Sequence, residues 1–94
     1  MNFTIAVGIY NDSMKKLAIK SEVYGIEGHF KIDLTNLSRQ DTIDIFTTIE
    51  EEGYLPFQPS EPVEISEEEF NQHYINAKNA ISNDTEGIYL LKVL

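Results

Sequence analysis

The side chains in this chain that could do chemistry are carboxylates. Between Gln40 and Ala77 stand Asp41, Asp44, Glu50, Glu51, Glu52, Glu61, Glu64, Glu67, Glu68 and Glu69, with no Lys or Arg among them. Carboxylates at this density can work as an acid–base pair whose pKa values burial drives apart, as oxygen ligands for a hard cation, or as a charged surface that a basic partner recognises. Spacing decides between these uses. Asp41 to Glu52 has the length of a helix–loop–helix calcium loop, yet Ile43 and Ile45 occupy ligand positions and Phe46 stands where glycine must turn. No metal is therefore expected. Acid–base work needs a substrate-binding device beside the acids, and the chain has no GxxxxGK[ST] or GxGxxG phosphate loop and no GxSxG elbow. His29, at a strand start, and His73, flanking a helical apolar face, read as structural residues. Without cysteine, disulfides, thiolate catalysis and Cys-ligated zinc are excluded. The reading is a protein that is not an enzyme and takes no cofactor, leaving the third use of the carboxylates.

Charge and length bound that use. The 94 residues suit a single domain over 1–94, and a 41% apolar content is enough to fold despite a net charge of −9. Lysines and acids nearly balance before Gln40 and after Ala77, so the net charge belongs to the middle block. Such a domain repels nucleic acid and anionic membrane and steers basic partners toward itself. The opening MNFTIAVGIY has no basic flank and too short an apolar run for a leader or a span, so a cytoplasmic protein is expected.

The elements that must position the acids follow from periodicity. Phe3, Ile5, Val7 and Ile9 alternate with Thr4, Ala6, Gly8 and Tyr10, which predicts a strand. Met14 to Tyr24 fits a second strand or a short helix, with the strand preferred, and Phe30, Ile32 and Leu34 mark a third. Ser38 with Asp41 makes a capping box ahead of a helix over 39–52 carrying Ile43, Ile45, Phe46 and Ile49, with Gly53 as its left-handed stop. Residues 54–65 hold all three prolines and predict an extended crossover whose aromatics pack on the body, with a brief edge strand near Val63 to Ile65. Ser66 with Glu69 caps a second helix over 67–82 that buries Phe70, Tyr74, Ala77 and Ile81. Ile88 to Leu94 closes the fold as a strand apolar on both faces, hence central or covered. The expected fold is α+β: an antiparallel sheet of about four strands with two helices packed on one face, in the order β-β-β-α-α-β. The other face would show Tyr10, Tyr24, Tyr89, Leu91 and Val93, either covered by residues 54–65 or used for a homodimer.

Helix energetics sorts the acids. Glu67, Glu68 and Glu69 fall in a first turn, where the macrodipole favours negative charge by ~0.3 to 1 kcal/mol each. Glu50, Glu51 and Glu52 fall in a last turn, where it disfavours them, and no basic residue at i−4 relieves them. With Asp44, Glu61, Glu64 and the neighbouring Tyr54 they predict a negative ridge for binding a partner. Duplex DNA carries one charge per ~1.7 Å of axis, so the ten charges of the whole block match ~17 Å of duplex, about half a turn of DNA.

In size, acidity and lack of cysteine the chain resembles, as a functional class, the small phage-encoded antirestriction and anti-CRISPR proteins. The resemblance lies in composition, covers no motif and carries no residue across. It implies an inhibitor acting in the host cytoplasm that binds a basic nucleic-acid-binding protein, a restriction or CRISPR-type nuclease, by mimicking DNA phosphate charge. Two other readings stay open: an immunity or antitoxin-type protein neutralising a toxic nuclease, and a generic soluble interaction domain.

Overall fold

Residues 6–9 are all buried, as are Leu17, Ala18 and Ile19, although successive residues of a strand point to opposite sides of a sheet. Only a layer on each side can bury such a run. A computed structural model describes residues 4–22, 27–83 and 86–93. It contains strands β1 (Ile5–Tyr10), β2 (Lys15–Ser21) and β3 (Gly28–Asp33), helix α1 (Arg39–Glu52), strand β4 (Val63–Ile65), helix α2 (Glu67–Asn83) and strand β5 (Ile88–Val93). The strands form one antiparallel sheet in the order β4-β3-β2-β1-β5. The α+β class and the element order stand, with a short fifth strand between the helices, and residues 15–21 are strand. Phe3, Tyr24, the first half of the turn expected at 25–28 and Leu94 lie outside the described residues.

The two helices lie on opposite faces of the sheet, which corrects the expectation that both pack on one. Ile45, Phe46 and Ile49 of α1, with Leu55 of the crossover, cover Ala6, Leu17, Ile19, Ile32, Leu34 and Leu90. Phe70 and Ala77 of α2 cover Val7, Ile9 and Ala18, with Ile65 and Tyr89 alongside. The physical reason is that β1 has no polar residue between Ile5 and Ile9, so neither of its faces can meet water. Gly8 sits on the α1 side, where a Cβ would collide with the ring of Phe46. The missing side chain is what lets that ring lie on the strand.

Further corrections follow from this layering. Strand β5 meets α1 on one face and α2 on the other while Leu91 and Val93 stay exposed, and it stands at the edge of the sheet and not at its centre. The residues expected together on one open face are divided between the two sides of the sheet. Tyr10 points to the α1 side, where its hydroxyl donates to the Leu37 carbonyl at 3.1 Å, while Tyr89, Leu91 and Val93 alternate onto the α2 side next to Ile9, Val7 and Ile5. In the crossover only Leu55 is buried, and Tyr54 and Phe57 are half exposed. Ser60 ties the crossover down instead, its Oγ accepting from Asp33 N at 2.9 Å and donating to Asp33 O at 3.1 Å. On α2 the buried stripe is Phe70, His73 and Ala77, which turns Tyr74 and Ile81 toward solvent. His73 thus belongs to the core and not to its margin.

His73 Nε2 is buried with no hydrogen-bond partner. Burial chiefly holds this imidazole below its ordinary pKa. Lys16 and Lys31 push the same way, and a hydrogen bond to the Val7 backbone and the charge of Glu69 oppose them. Since the unfolded chain then takes the proton more readily, the stability tied to neutral His73 is fully present above a pH of ~6.5 and is lost as pH falls through the depressed folded value. In a pH series of urea unfolding, a His73→Leu variant should gain on the wild type as pH drops below ~6.5, and parallel curves would show that His73 does not titrate in the fold. Gly8→Val should cost ~1 to 3 kcal/mol by overpacking against Phe46, read as a lower urea midpoint.

Candidate functional site

Strand register fixes where the carboxylates go. Val93, Ile5, Lys20, His29 and Ile65 form one row across an end of the sheet. Three acidic segments arrive at this row. Helix α1 ends there, since Glu50 comes within 4.0 Å of Lys92, the neighbour of Val93. Helix α2 begins there, because Ser66 follows Ile65 directly. The β2–β3 connection adds Glu22 and Glu27, one on each side of its turn.

Local chemistry explains each placement. Gly53 stops α1 at φ +80°, its N–H donating to Ile49 O at 3.0 Å and Thr48 O at 3.2 Å, a conformation a β-carbon resists. At ~100° per residue, Glu50 then lies on the flank above β5 with Glu51 beside it and farther from the sheet, and Glu52 lies on the opposite flank. Tyr54 follows the glycine and is 50% exposed. At the start of α2, Ser66 Oγ accepts from Glu69 N at 3.0 Å, and Glu67, Glu68 and Glu69 occupy the first turn. In β4, Glu64 pairs across from Phe30 and is exposed.

The predicted ridge is thus redrawn. Glu50, Glu51, Glu52, Glu64 and Tyr54 share this end of the molecule. Asp44 does not: it lies two turns back along α1, ~10 Å away, accepting from Gln40 Nε2 at 3.0 Å. Glu61 does not either, because it adjoins Ser60, which is fixed to Asp33 toward the opposite end. In their place stand Glu67, Glu68 and Glu69, which the helix dipole alone would account for, and Glu22 and Glu27, whose position follows from the hairpin pairing of β2 with β3.

The cations near this end are engaged. Lys20 pairs with Glu22 at 3.4 Å, Lys31 with Glu69 at 3.2 Å and Lys92 with Glu50 at 4.0 Å. Nine carboxylates less three ion-paired lysines leave six negative charges. Five strands span ~19 Å, over which a duplex carries ~11 charges, so the density is about half that of DNA. The far end is mixed in sign: a cleft of about 670 Å³ is lined by Tyr10, Asn11, Asp12, Ser13, Lys15, Arg39, Glu86 and Gly87. Lys15 Nζ there sits 5.2 Å from the centre of the Tyr10 ring. Among the described residues no group of three or more His, Cys, Asp or Glu is placed to hold a metal ion, and no helix is long and apolar enough to cross a membrane. No family model matches the chain, and no curated protein or solved structure matches it.

Glu51 and Glu52 are exposed in a last turn that contains no basic residue. The pair Glu51→Lys with Glu52→Lys should therefore keep the fold and raise stability by ~0.3 to 1 kcal/mol per site. Circular dichroism with urea unfolding checks this, and a loss above ~1 kcal/mol would reveal a packing role for those side chains.

Proposed function

We propose that this protein is a small acidic inhibitor that binds a basic nucleic-acid-binding protein, of the restriction or CRISPR nuclease kind, by presenting carboxylates where that protein expects phosphates. The observation that carries the reading is the gathering of α1's last turn, α2's first turn, β4 and the β2–β3 connection at one end of the sheet. An acidic chain needing only solubility could spread its charge; here the mixed-sign cleft and the acidic end are at opposite ends of the strands. Concentrated charge accelerates encounter with an oppositely charged groove and penalises wrong partners.

The second reading is an immunity or antitoxin-type protein with one dedicated nuclease partner, and the exposed aromatics favour it. Tyr54 lies at the acidic end, and Phe57 and Tyr74 are also at least a third exposed. Tyrosine beside charge is typical of binding hot spots. On this reading Tyr54→Ala would cost ~2 kcal/mol or more in a tight 1:1 complex, whereas the charge-mimic reading assigns most of the affinity to the carboxylates.

The test is competition with DNA. Purified protein should displace a duplex from a panel of restriction and CRISPR nucleases, and capture should fail as ionic strength rises from ~0.1 to ~1 M, shrinking the Debye length from ~10 to ~3 Å. Glu51→Lys with Glu52→Lys, which spares the fold, should abolish displacement. Unchanged displacement by that variant would end the mimicry reading.

A further inference from the structure

Strand β5 is an edge strand of six residues, with β1 as its one neighbour among the described strands of the sheet. Edges of this kind are normally blunted by shortness, proline or an outward charge. The opposite edge, β4, follows that rule with three residues and Glu64. Strand β5 does not: its one charged residue, Lys92, is turned over the α1 face toward Glu50, and Leu91 and Val93 are 36% and 74% exposed. Beside it lies a groove of about 350 Å³ between α1 and β5, with Ile43, Phe46, Ile88 and Leu90 as its floor and Glu50 and Glu51 on its wall.

We infer that the partner docks by adding an extended, basic segment to the β5 edge as a sixth strand. The inference rests on the proposed acidic-inhibitor reading and supplies its docking mode. In an added strand, alternate side chains point to opposite faces. One set enters the α1–β5 groove, where apolar groups meet the floor and Lys or Arg meets Glu50 and Glu51. The other set covers Leu91 and Val93. Main-chain hydrogen bonds supply the affinity and the groove supplies the selection. Charge also decides between occupants, because a second copy would bring another −9 toward a molecule that already carries −9. A basic strand gains from the field that repels the copy.

A short peptide alternating Lys and Val, its Glu–Val counterpart, and the Lys–Val peptide N-methylated on alternate residues are titrated into the full chain. Binding is followed by amide NMR and hydrogen exchange. The Lys–Val peptide should bind saturably, protect amides of Ile88–Val93 and shift Ile43 and Glu50, while N-methylation on the pairing edge should weaken it by roughly tenfold or more at unchanged charge. Equal binding of the N-methylated and the unmethylated Lys–Val peptides would overturn strand addition and leave the electrostatic reading intact. Binding of the Glu–Val peptide as strong as that of Lys–Val would overturn both. Protection of β5 that grows with protein concentration alone would assign the edge to a second copy and overturn the inference.

Discussion

Burial of β1 on both faces is the constraint from which the rest of the architecture follows. A strand reading Ile-Ala-Val-Gly-Ile has nothing to offer water on either side, so a helix must cross each face. Helix α1 descends one face after the three-strand meander, and the crossover carries the chain back to begin β4. Helix α2 then climbs the other face and returns the chain to β5. In that circuit α1 ends at the same end of the sheet where α2 starts. The approach of the layers is set by small residues, with Gly8 beneath Phe46 and Ala18 beside Phe70 and Ala77.

That circuit brings together two kinds of acidic helix end with opposite energetics. Glu67, Glu68 and Glu69 complement the free N–H groups and positive dipole of a capped first turn, whereas Glu50, Glu51 and Glu52 oppose the dipole of a last turn. One is favoured by folding and the other tolerated by it. The three lysine pairs relieve little of the cost, because each is exposed and such pairs contribute about 0 to 1 kcal/mol. A residual repulsion therefore belongs to the folded state. The basic partner proposed above would relieve it.

Much of this could be read from the chain itself. Capping residues and glycine set both helices nearly to the residue, because Ser38, Gly53 and Ser66 act through local backbone geometry. Pairing of the first three strands followed from short turns. Which face each helix covers was not legible from alternation: Ala6 and Gly8 were read as an outer face when their smallness marks close packing by a helix. The same error inverted β5, whose two apolar faces suggested a central strand but are explained by two helices at an edge. On α2 the buried His73 displaced the stripe, since a polar side chain was not expected inside. Of the site, the acids in α1's last turn were legible from their conflict with the dipole. The convergence with Glu22, Glu27 and α2 depends on register and crossover direction, which contiguous charge does not encode; for that reason Asp44 and Glu61 were placed on a ridge they do not join.

The charge and the edge strand are connected. An open, mostly apolar β5 would ordinarily template association with its own kind, because two copies offer each other complementary main-chain groups. Here a second copy brings another net charge of −9, and the repulsion acts over ~8 Å at physiological salt, before any hydrogen bond can form. The acids thus do for β5 what proline or an outward lysine does elsewhere, with one difference. Proline blocks every strand, but negative charge repels only acidic ones, so an edge protected in this way would remain open to the basic partner proposed above.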